Sequence, residues 1–142
     1  MLKVEQLAKR LGDFEMRDVS FEVPAGGYFV LLGASGTGKT VLIETLGGFL
    51  RPDAGRIVLG GREITGERAQ RRAIGIVFQD QALFPHLDVG GNIAYGPASR
   101  GAGRQARRET AARLAAETGV DHLLRRRPAT LSGGEAQRVA LA

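Results

Sequence analysis

The sequence has no cysteine and no tryptophan, and aromatic residues make up only 6% of its 142 positions. Without cysteine the chain forms no disulfide and offers no thiolate ligand to a metal, which is compatible with a cytoplasmic location. Its two histidines, His86 and His122, stand far apart, and neither has a second histidine at ligand spacing. We therefore predict no metal site built from protein side chains alone.

Long apolar runs are also missing. The longest, Tyr28 to Leu32, is far shorter than the roughly 20 apolar residues of a membrane-spanning helix. The first residues, Met1 to Glu5, lack the apolar core of a secretory signal. Hydrophobic residues at 43% and charged residues at 25% are typical of a globular domain rather than of a disordered segment.

Basic residues outnumber acidic ones, and the formal net charge is +5. Such an excess raises the possibility of a nucleic-acid or anionic-membrane partner. The densest cluster runs from Arg100 to Arg127, where Glu109 and Glu117 are placed to pair with arginines on a helix. No aromatic residue lies within the cluster to stack on bases. This pattern favours a solvated helix face over a nucleic-acid site.

A glycine-rich loop is the most informative feature present. It reads Gly-Ala-Ser-Gly-Thr-Gly-Lys-Thr, follows an apolar run and precedes a helical pattern, Val41 to Leu46. In that context the backbone N–H groups cradle phosphate oxygens at a helix N-terminus, the lysine reaches the β- and γ-phosphates, and the threonine hydroxyl ligates Mg²⁺. The alternative is a glycine-rich turn that contains a lysine by chance, and the strand and helix patterns on either side of the loop make this alternative less favourable. The residues predicted to bind a nucleoside triphosphate are Gly33, Ser35, Gly36, Thr37, Gly38, Lys39 and Thr40.

Two further motifs follow in a fixed order. Val77 to Asp80 contains Gln79, which lies 40 residues after Lys39, and Leu131 to Glu135 reads Leu-Ser-Gly-Gly-Glu, with Ser132 placed 53 residues after Gln79. Together with the phosphate loop they resemble the Q-loop and the signature motif of ABC-type ATPases. The resemblance extends over about residues 2–142.

Segments between the motifs resemble importer subunits of the molybdate, tungstate and sulfate type, and also neighbouring sugar and polyamine importers. Gly27 to Gly33 and Asn92 to Gly96 carry this likeness. Gly27 and Gly91 stand where the family more often has glutamate. The solute is chosen by partner proteins, so the chain alone leaves it open.

The resemblance implies an α/β fold: a P-loop NTPase core with a parallel sheet, an N-terminal antiparallel β portion and an inserted helical subdomain. It places the core through the Q-loop in residues 1–87, the helical subdomain in 88–131 and the start of the signature helix in 132–142. Hydrophobic patterning predicts helices over 40–47, 89–95 and 104–118. The predicted strands are Val4 to Leu7, Val19 to Val23, Tyr28 to Leu32, Arg56 to Leu59 and Ile74 to Phe78.

The resemblance also assigns roles to single residues. Phe14, nineteen residues before Gly33, would stack on adenine, although a plain core phenylalanine is the alternative reading. Gln79 would ligate Mg²⁺ or hold the attacking water, which makes Gln79 and Lys39 the catalytic candidates. Domains of the family pack head to tail, so Ser132, Gly133 and Gly134 would address the γ-phosphate bound to a second copy.

The implied activity is ATP hydrolysis, with Mg²⁺, that powers import of a small solute. The implied partners are a membrane permease and, indirectly, a solute-binding protein, with the ATPase peripheral at the inner face of the cell membrane. The segment near His86 would lie close to the permease. No nucleic acid is expected, because repair and chromosome ATPases insert a long domain between motifs that here lie only 53 residues apart.

The family's Asp-Glu pair and switch histidine come after the signature helix, and no carboxylate before Ala142 matches them. The resemblance therefore predicts a C-terminally truncated domain. Because phosphoryl transfer depends on positioned charge, this stretch alone should bind ATP weakly and hydrolyse it poorly. A non-hydrolysing nucleotide-binding remnant is the alternative to a transport ATPase.

Overall fold

A computed structural model describes residues 1–80 and 82–142. The chain divides into two compact units, Met1–Ile76 and Val77–Ala142. Each unit has its own buried apolar cluster. The finer division into 1–87, 88–131 and 132–142 stays a prediction.

The first unit is built on an antiparallel sheet of four strands in the order β2-β1-β3-β4. The strands are β1 (Leu2–Leu11), β2 (Phe14–Val23), β3 (Ala54–Leu59) and β4 (Arg62–Glu63). β1 and β2 form a hairpin in which Leu11 pairs with Phe14, and Gly12 between them has a φ of 55°. Glycine tolerates such a positive φ, so the chain reverses there without strain. The predicted antiparallel β portion is confirmed.

One helix, α1 (Lys39–Gly47), packs on this sheet. Its Leu42 is buried in a cluster with Val4, Leu7 and Ile57. The helix is capped by Gly48, which has a left-handed φ of 81°. Backbone N–H groups of the cap donate to the carbonyls of Glu44 and Thr45. This is the helix stop that the Gly-Gly pair predicts.

The predicted strands at 28–32 and 74–78 are not formed, and the described residues contain no parallel strand pair. The apolar side chains of 28–32 stay accessible, with Tyr28 95% and Leu32 85% exposed. A parallel strand is buried on both faces and needs neighbouring strands for its hydrogen bonds. Neither segment is a strand of the sheet that the described residues form. Phe29 instead stacks on Phe21 of β2, with ring centroids 4.7 Å apart.

The second unit is helical, as predicted for its middle part. Its helices are α2 (Val89–Ile93), α3 (Tyr95–Ser99), α4 (Arg104–Glu117) and α5 (Gly133–Leu141), joined by short 3₁₀ turns at Asp121–Leu123 and Pro128–Thr130. The helix predicted at 89–95 is divided in two at Ala94. Across the described residues, every helix is too short or too polar to cross a bilayer.

The core of the second unit forms where α2, α4 and α5 meet. Its buried members include Val89, Ala111, Ala115 and Val139. The alanines of α4 face this core because they recur at helical spacing, which lets the neighbouring helices approach closely. Arg113 on the opposite face pairs with Glu117 at 2.7 Å, as the charge pattern predicts.

Candidate functional site

The glycine-rich loop of the first unit has the backbone conformation that its sequence predicts. Gly36 and Gly38 have φ values of 82° and 88°, which side chains with a Cβ rarely adopt. Gly38 is the N-cap of α1, and its carbonyl accepts the Leu42 N–H at 2.9 Å. The loop therefore ends at a helix N-terminus, where free N–H groups and the helix dipole favour an anion.

Lys39 places its ammonium group across the mouth of this loop. Its Nζ donates to the carbonyl oxygens of Gly33 at 2.8 Å and Ala34 at 2.6 Å. The Thr37 hydroxyl also donates to Ala34, at 2.9 Å. Two carbonyls thus hold a cation at the open side of the loop, in reach of any phosphate bound there.

The Thr40 side chain is exposed, and within the described part of the chain its hydroxyl has no hydrogen-bond partner. A free hydroxyl in the first turn of α1 suits Mg²⁺, which prefers oxygen ligands and keeps several waters. The loop N–H groups, the Lys39 ammonium and the Thr40 hydroxyl therefore fit a magnesium-bound triphosphate.

Phe14 lies at the start of β2 and packs against the apolar cluster of the first unit. The outer edge of its ring faces Gly38, and a methyl group added to Gly38 would collide with it. The structure thus brings Phe14 and the phosphate loop together. The adenine-stacking role stays a prediction, beside the core role.

The other predicted site residues belong to the second unit. Gln79 is exposed in a turn that precedes the helices. Ser132 is the N-cap of α5, with Gly133 and Gly134 as its exposed first residues. The predicted cap is confirmed, and the catalytic and γ-phosphate roles of these residues stay predictions.

Glu135 completes the cap of α5. Its carboxylate accepts the Ser132 N–H at 2.7 Å and the Ser132 hydroxyl at 2.8 Å, and the Ser132 oxygen accepts the Glu135 N–H at 3.4 Å. These reciprocal bonds form a capping box, and they hold the pKa of the Glu135 carboxyl below its ordinary value. Glutamate at this position thus has a structural reason.

The family model described as "ABC transporter" matches residues 16–142. The chain belongs to the ABC transporter family. That match spans the phosphate loop, Gln79 and the capped α5, and so it covers both units of the structure.

Relatives of this ABC-family chain include importers named for different solutes. The molybdate/tungstate import ATP-binding protein of Pyrococcus horikoshii is 47% identical over 142 residues. The Fe(3+) ions import ATP-binding protein of Streptomyces coelicolor is 43% identical over 143 residues. Both alignments cover 100% of this chain, which spans 41% of the length of each relative.

Solved structures confirm the fold assignment. An ATP-binding cassette captured as a dimer in a post-hydrolysis state with ADP and Pi is 25% identical, with a TM-score of 0.86. The likeness covers 99% of this chain and 67% of that one. The predicted fold class is therefore confirmed for this ABC-family chain, although two of its predicted strands are not formed.

Arg72 is the most buried charged residue of this ABC-family chain among those described, at 1% exposure, and sequence patterning did not single it out. Its guanidinium donates to the carbonyls of Thr45 and Leu46 in the last turn of α1, at 2.7 and 2.8 Å. It also donates to the carbonyls of Glu67 and Thr65, each at 2.8 Å. Burial lowers the pKa of Arg72 from its ordinary value. In the sequence Arg72 is an arginine well beyond the predicted helix at 40–47, and this position gives no indication of burial.

Asn92 was also missed as a structural residue. Its side-chain oxygen accepts the Phe84 N–H at 2.7 Å, and its amide donates to the carbonyls of Phe84 at 3.1 Å and Asp88 at 2.9 Å. The Phe84 ring lies 4.3 Å from that of Tyr95, centroid to centroid. These contacts attach Phe84 to α2 and α3.

Arg104, Arg107 and Arg108 line a cavity of about 500 Å³ between α2 and α4. Gly90 and Gly91 form part of its wall, since they carry no side chain that would fill the space. None of the three arginines makes an ion pair within residues 1–80 and 82–142, and the Arg107 Nε is buried without a hydrogen-bond partner there. Asp88 and Leu124 also line the cavity, so its wall combines three basic side chains and one carboxylate with small apolar residues.

Proposed function

We propose that the protein binds ATP with Mg²⁺ and, as part of an ABC-type ATPase domain, hydrolyses it to drive import of a small solute through a membrane permease. The loop conformation carries this proposal. Left-handed Gly36 and Gly38 turn the backbone at the N-terminus of α1, and the Lys39 side chain places its ammonium group at the mouth of the loop. A triphosphate carries the charge and the oxygens that this arrangement suits. Bound Mg²⁺ would neutralise developing charge on the phosphates.

The proposed site is completed by a second copy of the chain. Ser132 and the exposed residues Gly133 and Gly134 start a nine-residue helix, and the N-terminus of such a helix favours an anion such as a γ-phosphate. A related ATP-binding cassette was captured as a dimer, which supports pairing of two copies, and we propose that they pack head to tail. Gln79 would then hold the attacking water or contribute to Mg²⁺ binding, and hydrolysis would need a water-polarising carboxylate in the same domain.

For the solute we propose an oxyanion such as molybdate, tungstate or sulfate, delivered indirectly by a solute-binding protein. The name of the Pyrococcus horikoshii relative supports this choice. The Fe(3+) ions import ATP-binding protein of Streptomyces coelicolor is nearly as similar. Sequence identity therefore does not distinguish the two solutes, and a transport measurement is needed. The ATPase would lie at the inner face of the cell membrane.

Deleting the gene should lower uptake of radiolabelled tungstate and molybdate at nanomolar supply by about tenfold, with Fe(3+) uptake unchanged. Complementation with the wild-type gene should restore uptake, and complementation with a Lys39→Ala variant should not, because transport driven by ATP needs the phosphate loop. Loss of Fe(3+) uptake instead would overturn the proposed solute but not import. Unchanged uptake of all solutes would contradict the import function and favour a non-hydrolysing remnant.

We propose that the cavity lined by Arg104, Arg107 and Arg108 is where the permease docks, through an acidic segment. Three guanidinium groups that form no ion pair within the described residues outnumber the one carboxylate of the lining, Asp88, and so complement a carboxylate-bearing loop or helix end. The neighbouring segment at 82–87 is held against α2 by Asn92, so both would meet the same partner.

Charge reversal should therefore weaken membrane attachment. Arg104→Glu combined with Arg108→Glu should lower binding to inside-out vesicles from the source cells about fivefold, because glutamates that face an acidic segment repel it. Arg113→Glu is the matched control, since Arg113 is on the same helix but pairs with Glu117. Equal losses in both variants, or equal binding to protein-free liposomes, would count against a permease at the cavity.

A further inference from the structure

We infer that Phe14 is a positioning residue for the phosphate loop, and that it sets affinity for the phosphate chain rather than for the base. This inference rests on the proposed nucleotide binding. It concerns how the loop is held over the sheet, which the sequence motif does not specify.

The contact lies where β2 meets α1. Gly38 directly precedes α1, and its carbonyl accepts the N–H of Leu42 in the first turn of that helix. Leu42 is 5% exposed, and Phe14 packs against the same apolar cluster. Phe14 therefore forms the end of the surface on which the first turn of α1 rests.

The ring occupies the space that a side chain at position 38 would need. Its Cζ, Cε1 and Cε2 atoms are the three nearest to a Cβ placed on Gly38, and Cε2 would lie 2.9 Å from it. These are the atoms at the outer edge of the ring. Stacking on a base uses the ring face, whereas this edge contact supports the backbone from below.

Position 38 is thus constrained twice, by its φ of 88° and by the ring beneath it. Phosphate recognition depends on several N–H groups converging within tenths of an ångström. Loss of the ring would leave the loop free to sink toward the sheet and spread those donors. Every ligand that uses the loop would then bind less tightly, whether or not it carries a base.

Two ligands separate support of the loop from stacking on the base. Dissociation constants would be measured by calorimetry for MgATP and for magnesium tripolyphosphate. The variants are Phe14→Ala, Phe14→Leu and, as control, Phe21→Ala. Phe21 lies on the same strand and packs against the same cluster, but its ring stacks on Phe29 rather than on the loop.

We expect Phe14→Ala to weaken both ligands by the same factor, about tenfold. Phe14→Leu should recover most of both affinities, because leucine fills apolar volume under Gly38 but offers no aromatic face. Phe21→Ala should stay within about twofold of wild type. A Phe14→Ala loss confined to MgATP, or a Phe14→Leu variant as weak as Phe14→Ala for MgATP alone, would overturn the inference in favour of stacking.

A measurement without ligand keeps the inference separate from the proposed function. The Leu42 N–H donates to the Gly38 carbonyl, so its hydrogen exchange reports the first turn of α1. Exchange should be about tenfold faster in Phe14→Ala than in wild type and near wild type in Phe14→Leu. Unchanged exchange in Phe14→Ala would refute the positioning role. Failure of the wild-type protein to bind either ligand would refute nucleotide binding instead.

Discussion

Lys39→Ala should weaken ATP binding about 100-fold. The Lys39 ammonium lies at the mouth of the loop, held by the carbonyls of Gly33 and Ala34 at 2.8 and 2.6 Å. Removing one partner of a close charge pair costs roughly 2–5 kcal/mol, and each 1.4 kcal/mol is about tenfold in affinity. The variant loses the attraction to phosphate and the two bonds that close the loop.

The measurement is calorimetric titration of MgATP into wild type and variant. Lys3→Ala is the control, because Lys3 is a lysine of the same unit whose ammonium pairs with Glu5 on β1 rather than with loop carbonyls. It should bind ATP like wild type. An affinity of Lys39→Ala within threefold of wild type, with the circular dichroism spectrum unchanged, would mean that the loop does not hold the phosphates.

Arg72→Met should destabilise the first unit by about 4 kcal/mol. The side chain is 1% exposed and donates to four carbonyls, two of them in the last turn of α1. Each buried carbonyl left without a donor costs on the order of 1–3 kcal/mol. Methionine replaces much of the volume, so the loss reports hydrogen bonds and charge at the helix C-terminus rather than a cavity.

The loss is measured by hydrogen exchange of the β1 amides at increasing urea concentration, since β1 lies between β2 and β3 in the sheet. The matched control is Arg71→Met, since Arg71 is the adjacent arginine and its side chain is exposed. A surface change of this kind should stay within about 0.5 kcal/mol. If Arg72→Met were as stable as the control, the guanidinium network would contribute nothing to the unit.

Helix ends and the phosphate loop were predictable because their causes are local. The left-handed Gly38 and Gly48 bound α1, and Ser132 caps α5, as residue types within a few positions indicate. Strands were predicted at 4–7 and 19–23, inside the longer β1 and β2, but the hairpin turn at Gly12 was not foreseen. The role of Glu135 was not foreseen, although a serine followed three residues later by glutamate is a capping-box signal.

The strands expected at 28–32 and 74–78 show the limit of local patterns. An apolar run indicates that a segment prefers burial, but a strand also needs a hydrogen-bonding partner. Among the described residues no strand lies beside 28–32 in the sheet, and Tyr28 and Leu32 remain exposed. The same pattern would predict the same strand in any chain, whatever its neighbours.

By itself the sequence determined the family and the position of the phosphate loop, since both depend on motifs whose glycines, lysine and cap act on their own backbone. Only the tertiary structure decided what supports them. Arg72 lies 27 residues from Thr45 along the chain yet donates to its carbonyl, and Phe14 lies against Gly38. Such partners are far apart in the sequence, so no local pattern encodes them, and only packing of α1 on the sheet brings them into contact.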